Sequence, residues 1–360
     1  MSSKLLILGG GLMGRLCALA LSEAGAQIRV LQRDGFQPIP AAGFEPTAAA
    51  AAAAMLSPLA ESVLLDADLV ALGYRSMHLW QQLQQQMPDL GFVQQGAILL
   101  AHPQQQALLN HLVSQMKPQP NVHPEWLNQP VLAALEPSLA TRFSQAWFLP
   151  GEAQLNNVAF LQASFALLQQ RGVSLEEHVE ATLRHGKVWC HGEPQVADLI
   201  IDCRGLGAQT DWPALRAVRG EILRVWAPSV HISRPVRLCH PRYALYVAPK
   251  GQGNFVVGAT EIESSDQSGP SVRSSLELLS ALYALDPAFA DGEISSVQAS
   301  ARPALPDNRP KISVDGHVIS VNGLYRHGYL LGPALAEQVS MLAQQALHRK
   351  VHAVEEVCHG

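Results

Sequence analysis

The sequence predicts an α/β fold that opens on a parallel βαβ unit and carries an antiparallel, β-rich section in its second half. Three observations predict it. A glycine-rich turn at residues 9–14 separates the apolar run "KLLIL" from a helical pattern. The run "ADLIIDCRG" (197–205) is apolar through its centre, as a parallel strand covered on both faces must be. Between 217 and 262, short β-prone runs flank the turn signal Lys250-Gly251-Gln252-Gly253, which calls for a hairpin.

Each element follows in order. Residues 4–8 form a buried strand, a helix covers about 14–24 and stops at Gly25, and "QIRVLQ" (27–32) is the second strand. Seven alanines follow, Ala48 to Ala54; taken alone they read as a helix with Thr47 as N-cap, because alanine is the strongest helix former. Amphipathic helices are expected at about 61–88, 104–117 and 159–172, the last stopping at Gly172. "KVWCHG" is a strand, a helix spans 272–285, and a strand lies near 293–301. The chain then reads strand (317–324), turn, and a helix over 333–348.

Composition narrows the function. With 48% hydrophobic and 15% charged residues, 360 residues bury a sizeable core, and a net charge of −5 gives no reason to expect a nucleic-acid partner. Five scattered cysteines without a C-x-x-C pair point to a reduced, cytoplasmic chain with neither a disulfide frame nor a thiolate zinc site. The histidines are spread out and form no H-E-x-x-H motif, so no metal site is expected. The apolar N-terminal run is broken by three glycines and Arg15, too often for a signal peptide or a membrane span.

The G-x-G-x-x-G motif at Gly9, Gly11 and Gly14 sits between strand and helix, the context it requires. Its glycines permit the tight turn, and the N–H groups at Leu12 and Met13 open a helix whose positive end attracts a pyrophosphate. A Rossmann-type dinucleotide site follows. At the end of the second strand, where an acidic residue usually grips the ribose, stands Gln32, able to donate and accept hydrogen bonds. Arg33 beside it suits the 2′-phosphate of NADP, so this motif leaves FAD and an NADP-dependent reductase both open.

Further segments occur in order: "ADLIIDCRGLGAQ" (197–209), "VRGEI" (218–222), "YVAP" with "NFVVGAT" (246–260), "SARPALPDNRPKI" (300–312) and "GLYRHGYLLGPALAE" (323–337). This series resembles the D-amino-acid oxidase superfamily of FAD enzymes, most closely its glycine oxidase branch linked to thiamine biosynthesis. The resemblance implies a Rossmann-type FAD-binding domain (1–75, 145–215, 298–360) with an antiparallel β-sheet substrate domain (76–144, 216–297) inserted discontinuously. It implies non-covalent FAD held by Gly9, Gly11, Leu12, Met13, Gly14, Gln32, Arg33, Ala48, Ala49, Ala53, Ala54, Met55, Ala181, Cys203 and Gly205. The turn Leu324, Tyr325, Arg326, His327, Gly328, Tyr329 and Leu330 is implied to run along the flavin toward a helix beginning near Pro333.

The same resemblance implies that Arg302 and Tyr246 hold the substrate carboxylate, with Arg326, Met55 and Glu261 at the substrate. It implies oxidative deamination of glycine or another small amino acid, with dioxygen reduced to hydrogen peroxide and no side chain acting as acid or base. The product, iminoacetate or glyoxylate, would serve thiazole synthesis, and a homo-oligomer is compatible with the resemblance. A dehydrogenase passing electrons to a quinone or carrier and a non-catalytic flavin-binding module are the rival readings. Three departures stand out: Leu324 and His327 replace a histidine and an asparagine, Glu261 follows "VVGAT", and Asn156-Asn157 stand where a proline is usual. The alanine tract falls where the family has a small-residue segment against the flavin, with Ala54 in place of a glycine.

Overall fold

The computed structural model describes residues 3–23, 25–36, 47–120, 122–239 and 245–358. The chain falls into two compact units, each assembled from separate stretches of sequence. Unit one comprises Met1–Ala49, Phe160–Val218 and Arg302–Gly360; unit two comprises Ala50–Ala159 and Arg219–Ala301. Two of the breaks fall within a few residues of 215 and 298, whereas residues 50–75 and 145–159 lie in unit two.

Unit one is built on a six-stranded sheet in the order Lys311–Asp315, Val318–Asn322, Leu199–Asp202, β1 (Lys4–Leu8), β2 (Gln27–Leu31), Ser174–Glu176. Every pair is parallel except the Lys311–Asp315 edge, which is antiparallel. One face (Leu6, Leu8, Ile200, Val318) packs on Val188 and Cys190 of a three-stranded antiparallel sheet. Helix α1 (Leu12–Ser22) follows the glycine turn, and it packs against the C-terminal helix Gly328–Cys358. The continuous apolar reading of 199–202 is explained, because that strand is buried between parallel neighbours.

The C-terminal helix begins at Gly328, five residues before the expected start, and Pro333 lies inside it. A proline there removes only the ladder bond to Tyr329 O. Packing compensates: a Cβ on Gly328 would meet Leu12 at 3.2 Å and one on Gly332 would meet Leu16 at 2.8 Å, so the two helices approach closely.

Unit two holds a large, mostly antiparallel sheet in which Ile222–Trp226, Asn254–Gly258, Leu245–Pro249, Val236–Cys239 and Ala97–Ala101 lie side by side. The Lys250–Gly253 turn joins the expected hairpin, with Tyr246 opposite Gly258. Strand alternation sorts the side chains. Leu223, Val225, Leu245, Val247, Phe255 and Val257 face the apolar stripe of helix Val272–Leu285. Ile222, Ala248 and Val256 face the other way, and there they meet the alanine tract.

That tract is not a helix. Ala48–Ala51 make a turn, Ala52–Ala54 belong to neither helix nor strand, and β3 (Met55–Leu56) pairs with Ala153–Gln154. The tract's carbonyls bond partners far away in sequence instead of its own N–H groups, and those bonds override alanine's helix propensity.

Candidate functional site

In unit one, β1, β2, Leu199–Asp202 and Val318–Asn322 are parallel, so their C-terminal ends meet one edge of the sheet, where such sheets bind ligands. The turns leaving that edge carry most of the residues singled out by sequence. Gly9 (φ +91°) packs on Cys203: a Cβ there would lie 2.7 Å from the Cys203 carbonyl oxygen. A Cβ on Gly14 would lie 1.8 Å from Gly9 O, whereas one on Gly11 meets nothing within 4 Å. The turn is therefore closed on the protein side and open at Gly11. Gly11 is the N-cap of α1 and offers no side chain to its free N–H groups, so a pyrophosphate fits that helix end.

The other turns converge on the same edge. Asn322 donates to Gly205 O at 2.9 Å, Pro303 lies 3.6 Å from where a Gly205 Cβ would be, and Ala304 bridges Leu324. Tyr325 (φ +52°) is buried with Val218 and Ala304. Arg326 projects outward with its guanidinium 5.9 Å from the Tyr325 ring, and Arg326 Nε lies 3.4 Å from His327 Nε2. Leu324, His327 and Leu330 are buried, and Tyr329 donates its hydroxyl to Ala49 O at 3.1 Å. The half-buried Arg302 stands two residues before Ala304.

Gln32 does less and more than expected. Its Oε1 accepts from Gly10 N at 2.7 Å, which fixes the glycine turn and leaves only the amide N–H groups for a ribose. Arg33 is exposed and pairs with its neighbour Asp34 at 3.2 Å. Ala181 starts the small antiparallel sheet, and its carbonyl accepts from Arg204 at 3.3 Å. Cys203 Sγ lies 4.0 Å from Cys17 Sγ; that contact and then burial push the Cys203 thiol well up.

Sequence reading missed Arg15, a 2%-exposed arginine inside α1. Its guanidinium donates to Gly10 O (2.8 Å), Leu161 O (2.7 Å), Ser164 Oγ (3.2 Å) and Phe36 O (2.7 Å), and it lies 5.1 Å from the centre of the Phe36 ring. Burial brings its pKa down to about 10. With Gln32 on the N–H and Arg15 on the carbonyl, both ends of Gly10 are held. The available signal was a lone arginine in "LMGRLCALAL".

In unit two, Tyr246 and Met55 share one sheet face with Ala51, Ala53 and Ala259. The Tyr246 hydroxyl lies 2.6 Å from where a Gly258 Cβ would be, so glycine is required under the ring. Ala53 points into the sheet, against Ile222, Ala248 and Val256, and Ala54 holds a positive φ of 49°. Glu261 is exposed beyond the hairpin. The Asn156-Asn157 pair, opaque in sequence, has two jobs. Asn156 Oδ1 accepts from Val158 N and Ala159 N at 3.1 and 3.2 Å, capping helix Asn157–Gln170, while Asn157 Nδ2 donates to Ala50 O at 2.7 Å.

Among the described residues no three or more His, Cys, Asp or Glu gather as a metal site, and no helix is long and apolar enough to cross a membrane. Residues 4–342 match the family described as DAO, FAD dependent oxidoreductase. The chain is 35% identical over 340 residues to a Rhizobium etli protein named for thiamine biosynthesis as the oxidoreductase ThiO, covering 94% of this chain and 95% of that one. The fold superposes on glycine oxidase from Geobacillus kaustophilus with a TM-score of 0.80 at 22% identity, covering 96% and 95% of the two chains. Iminodiacetate oxidase from Chelativorans sp. gives 0.79 at 24% identity over 94% of each chain. A glycine turn shaped for a pyrophosphate and a family match over nearly the whole length agree: the chain belongs to the FAD dependent oxidoreductase family and is similar to a thiamine-biosynthesis oxidoreductase.

Proposed function

We propose that the protein oxidatively deaminates glycine or another small primary or secondary amino acid. For glycine, dioxygen and water are consumed, and glyoxylate, ammonia and hydrogen peroxide are released. The observation that carries this reading is the match, over 94% of the chain, to a relative named for thiamine biosynthesis. The product then feeds synthesis of the thiamine thiazole.

FAD, held non-covalently, supplies the two-electron acceptor that protein side chains lack. The glycine turn with Leu12 and Met13 holds its pyrophosphate, and Gln32, Arg33, Ala181, Cys203 and Gly205 line the adenosine end. Ala48, Ala49, Ala53, Ala54 and the Leu324–Leu330 turn meet the flavin. Arg302 donates two parallel, charge-assisted bonds to the substrate carboxylate, a geometry that a lysine cannot reproduce. Tyr246 adds a hydroxyl donor, and Met55, Arg326 and Glu261 lie at the substrate. Held in this way, the Cα–H is aimed and water is excluded, and no acid–base side chain is required.

The test is direct. Purified protein carrying FAD is mixed with glycine, sarcosine or D-alanine, first without oxygen and then in air. Bleaching of the flavin followed by stoichiometric peroxide and ammonia, or methylamine from sarcosine, supports the oxidase. Bleaching without peroxide would assign the electrons to another carrier, and no bleaching by any of the three would refute the reading.

A further inference from the structure

Seven alanines offer a ligand nothing but backbone, so the orientation of their peptide groups decides what the tract does. In unit two those groups are held from one side. Ala50 O accepts from Asn157 Nδ2 (2.7 Å) and Arg224 Nη2 (2.8 Å), Ala53 O from Lys250 Nζ (2.6 Å), and Ala54 O from Leu155 N (3.1 Å). In a trans peptide the N–H points opposite to the C=O. The N–H groups of Ala51 and Ala54 are therefore turned away from Arg224 and Lys250, and that of Met55 from the Leu155 amide.

Lys250 is the unusual member. The residue is half-buried, and its ammonium also donates to Leu155 O (2.9 Å) and Gln154 Oε1 (3.2 Å), so its three hydrogen bonds all end on neutral oxygens. The charged group facing it is Arg224, a second cation on the neighbouring strand. A buried cation without an anion is costly, and proteins retain one where an anion completes the charge. Desolvation first, and Arg224 second, bring the Lys250 pKa down to about 7.

We infer that Lys250 is a positioning residue: through the Ala53–Ala54 peptide plane it presents a positively backed N–H donor that stabilises negative charge on the reduced flavin. This rests on the proposed contact between the tract and the flavin. It assigns the flavin's electronic tuning in part to a lysine that never touches it.

The experiment measures the two-electron reduction potential of the bound flavin, using a chemical reductant and a reference dye, in wild type, Lys250→Met and Lys250→Arg. Bound FAD and the unfolding midpoint are measured on the same preparations. Lys250→Met is expected to keep FAD but lower the potential by about 30 mV, which is a tenfold loss in preference for the reduced form. Lys250→Arg is expected to restore at least half of that fall. An unchanged potential in the Met variant overturns the inference, as does an equal fall in the Met and Arg variants, because packing rather than charge would then be responsible. Should the Met variant not accumulate folded, Lys250→Gln removes the charge while keeping donors, and the same outcomes decide. No amino acid enters the measurement, so an FAD-bearing wild type that is inert toward amino acids refutes the proposed substrate and leaves this inference intact.

Discussion

Glu152 illustrates how one buried side chain makes stability depend on pH. It is 1% exposed; Oε1 accepts from Ala60 N at 2.9 Å, and burial, outweighing the attraction of Arg237, raises its pKa to about 7. The folded form therefore binds a proton that the unfolded chain releases near 4.5, and stability falls as pH rises from about 4.5 to 7. Glu152→Gln keeps the acceptor and removes the titration. Its unfolding midpoint is expected to match wild type near pH 4.5 and exceed it by a margin that grows to about pH 7 and then levels off, equivalent to a few kcal/mol at most. Calorimetry across that range checks it; a margin that shrinks with pH refutes it. Other residue-scale features divide cleanly. Gln32 and the glycines were legible because their spacing is local, whereas Asn157 and Lys250 act on backbone oxygens 107 and 197 residues away.

The turn from β1 into α1 is the element that sequence described best. Its glycines are required by close approach, with Gly14 packed directly over Gly9 O. Gly14→Ala places a methyl at 1.8 Å from that oxygen, so the turn must open. The variant is expected to lose about 3 kcal/mol of stability and most of its FAD. Fluorescence titration with FAD and a melting curve measure both, and Gly11→Ala, whose methyl meets no protein atom within 4 Å, is the control for the fold. Two other elements misled. The alanine tract reads as a helix by propensity, and Pro333 reads as a helix start by rule. In both cases tertiary partners outweighed a local preference of about 1 kcal/mol per residue or less for alanine, and of one missing ladder bond for proline.

At the scale of the whole molecule, the chain crosses between its two compact units four times, after Ala49, Ala159, Val218 and Ala301. Arg302 opens the last stretch of unit one, while Tyr246 belongs to a hairpin of unit two. The proposed carboxylate grip of Arg302 depends on guanidinium geometry and not on charge alone. Arg302→Lys is expected to raise the KM for glycine and lower kcat/KM by roughly a hundredfold, as losing one charge-assisted bond of about 1.5–3 kcal/mol implies. Steady-state peroxide kinetics test it, and an unchanged KM would remove Arg302 from the substrate.

What the sequence determined by itself was the parallel βαβ opening, the glycine turn, the antiparallel hairpin and, through a series of spaced motifs, membership of an FAD oxidoreductase family. Such features are written in short windows, where strand period, glycine spacing and apolar runs are local. Only the tertiary structure decided the path of Ala48–Ala54, the burial of Ala53 against the sheet, the positive φ at Ala54, and the grip of Arg15 on the turn. The physical reason is that a peptide carbonyl bonds whichever donor the fold brings to it. For this tract those donors are Asn157, Arg224, Lys250 and the Leu155 amide, none of them visible from seven alanines.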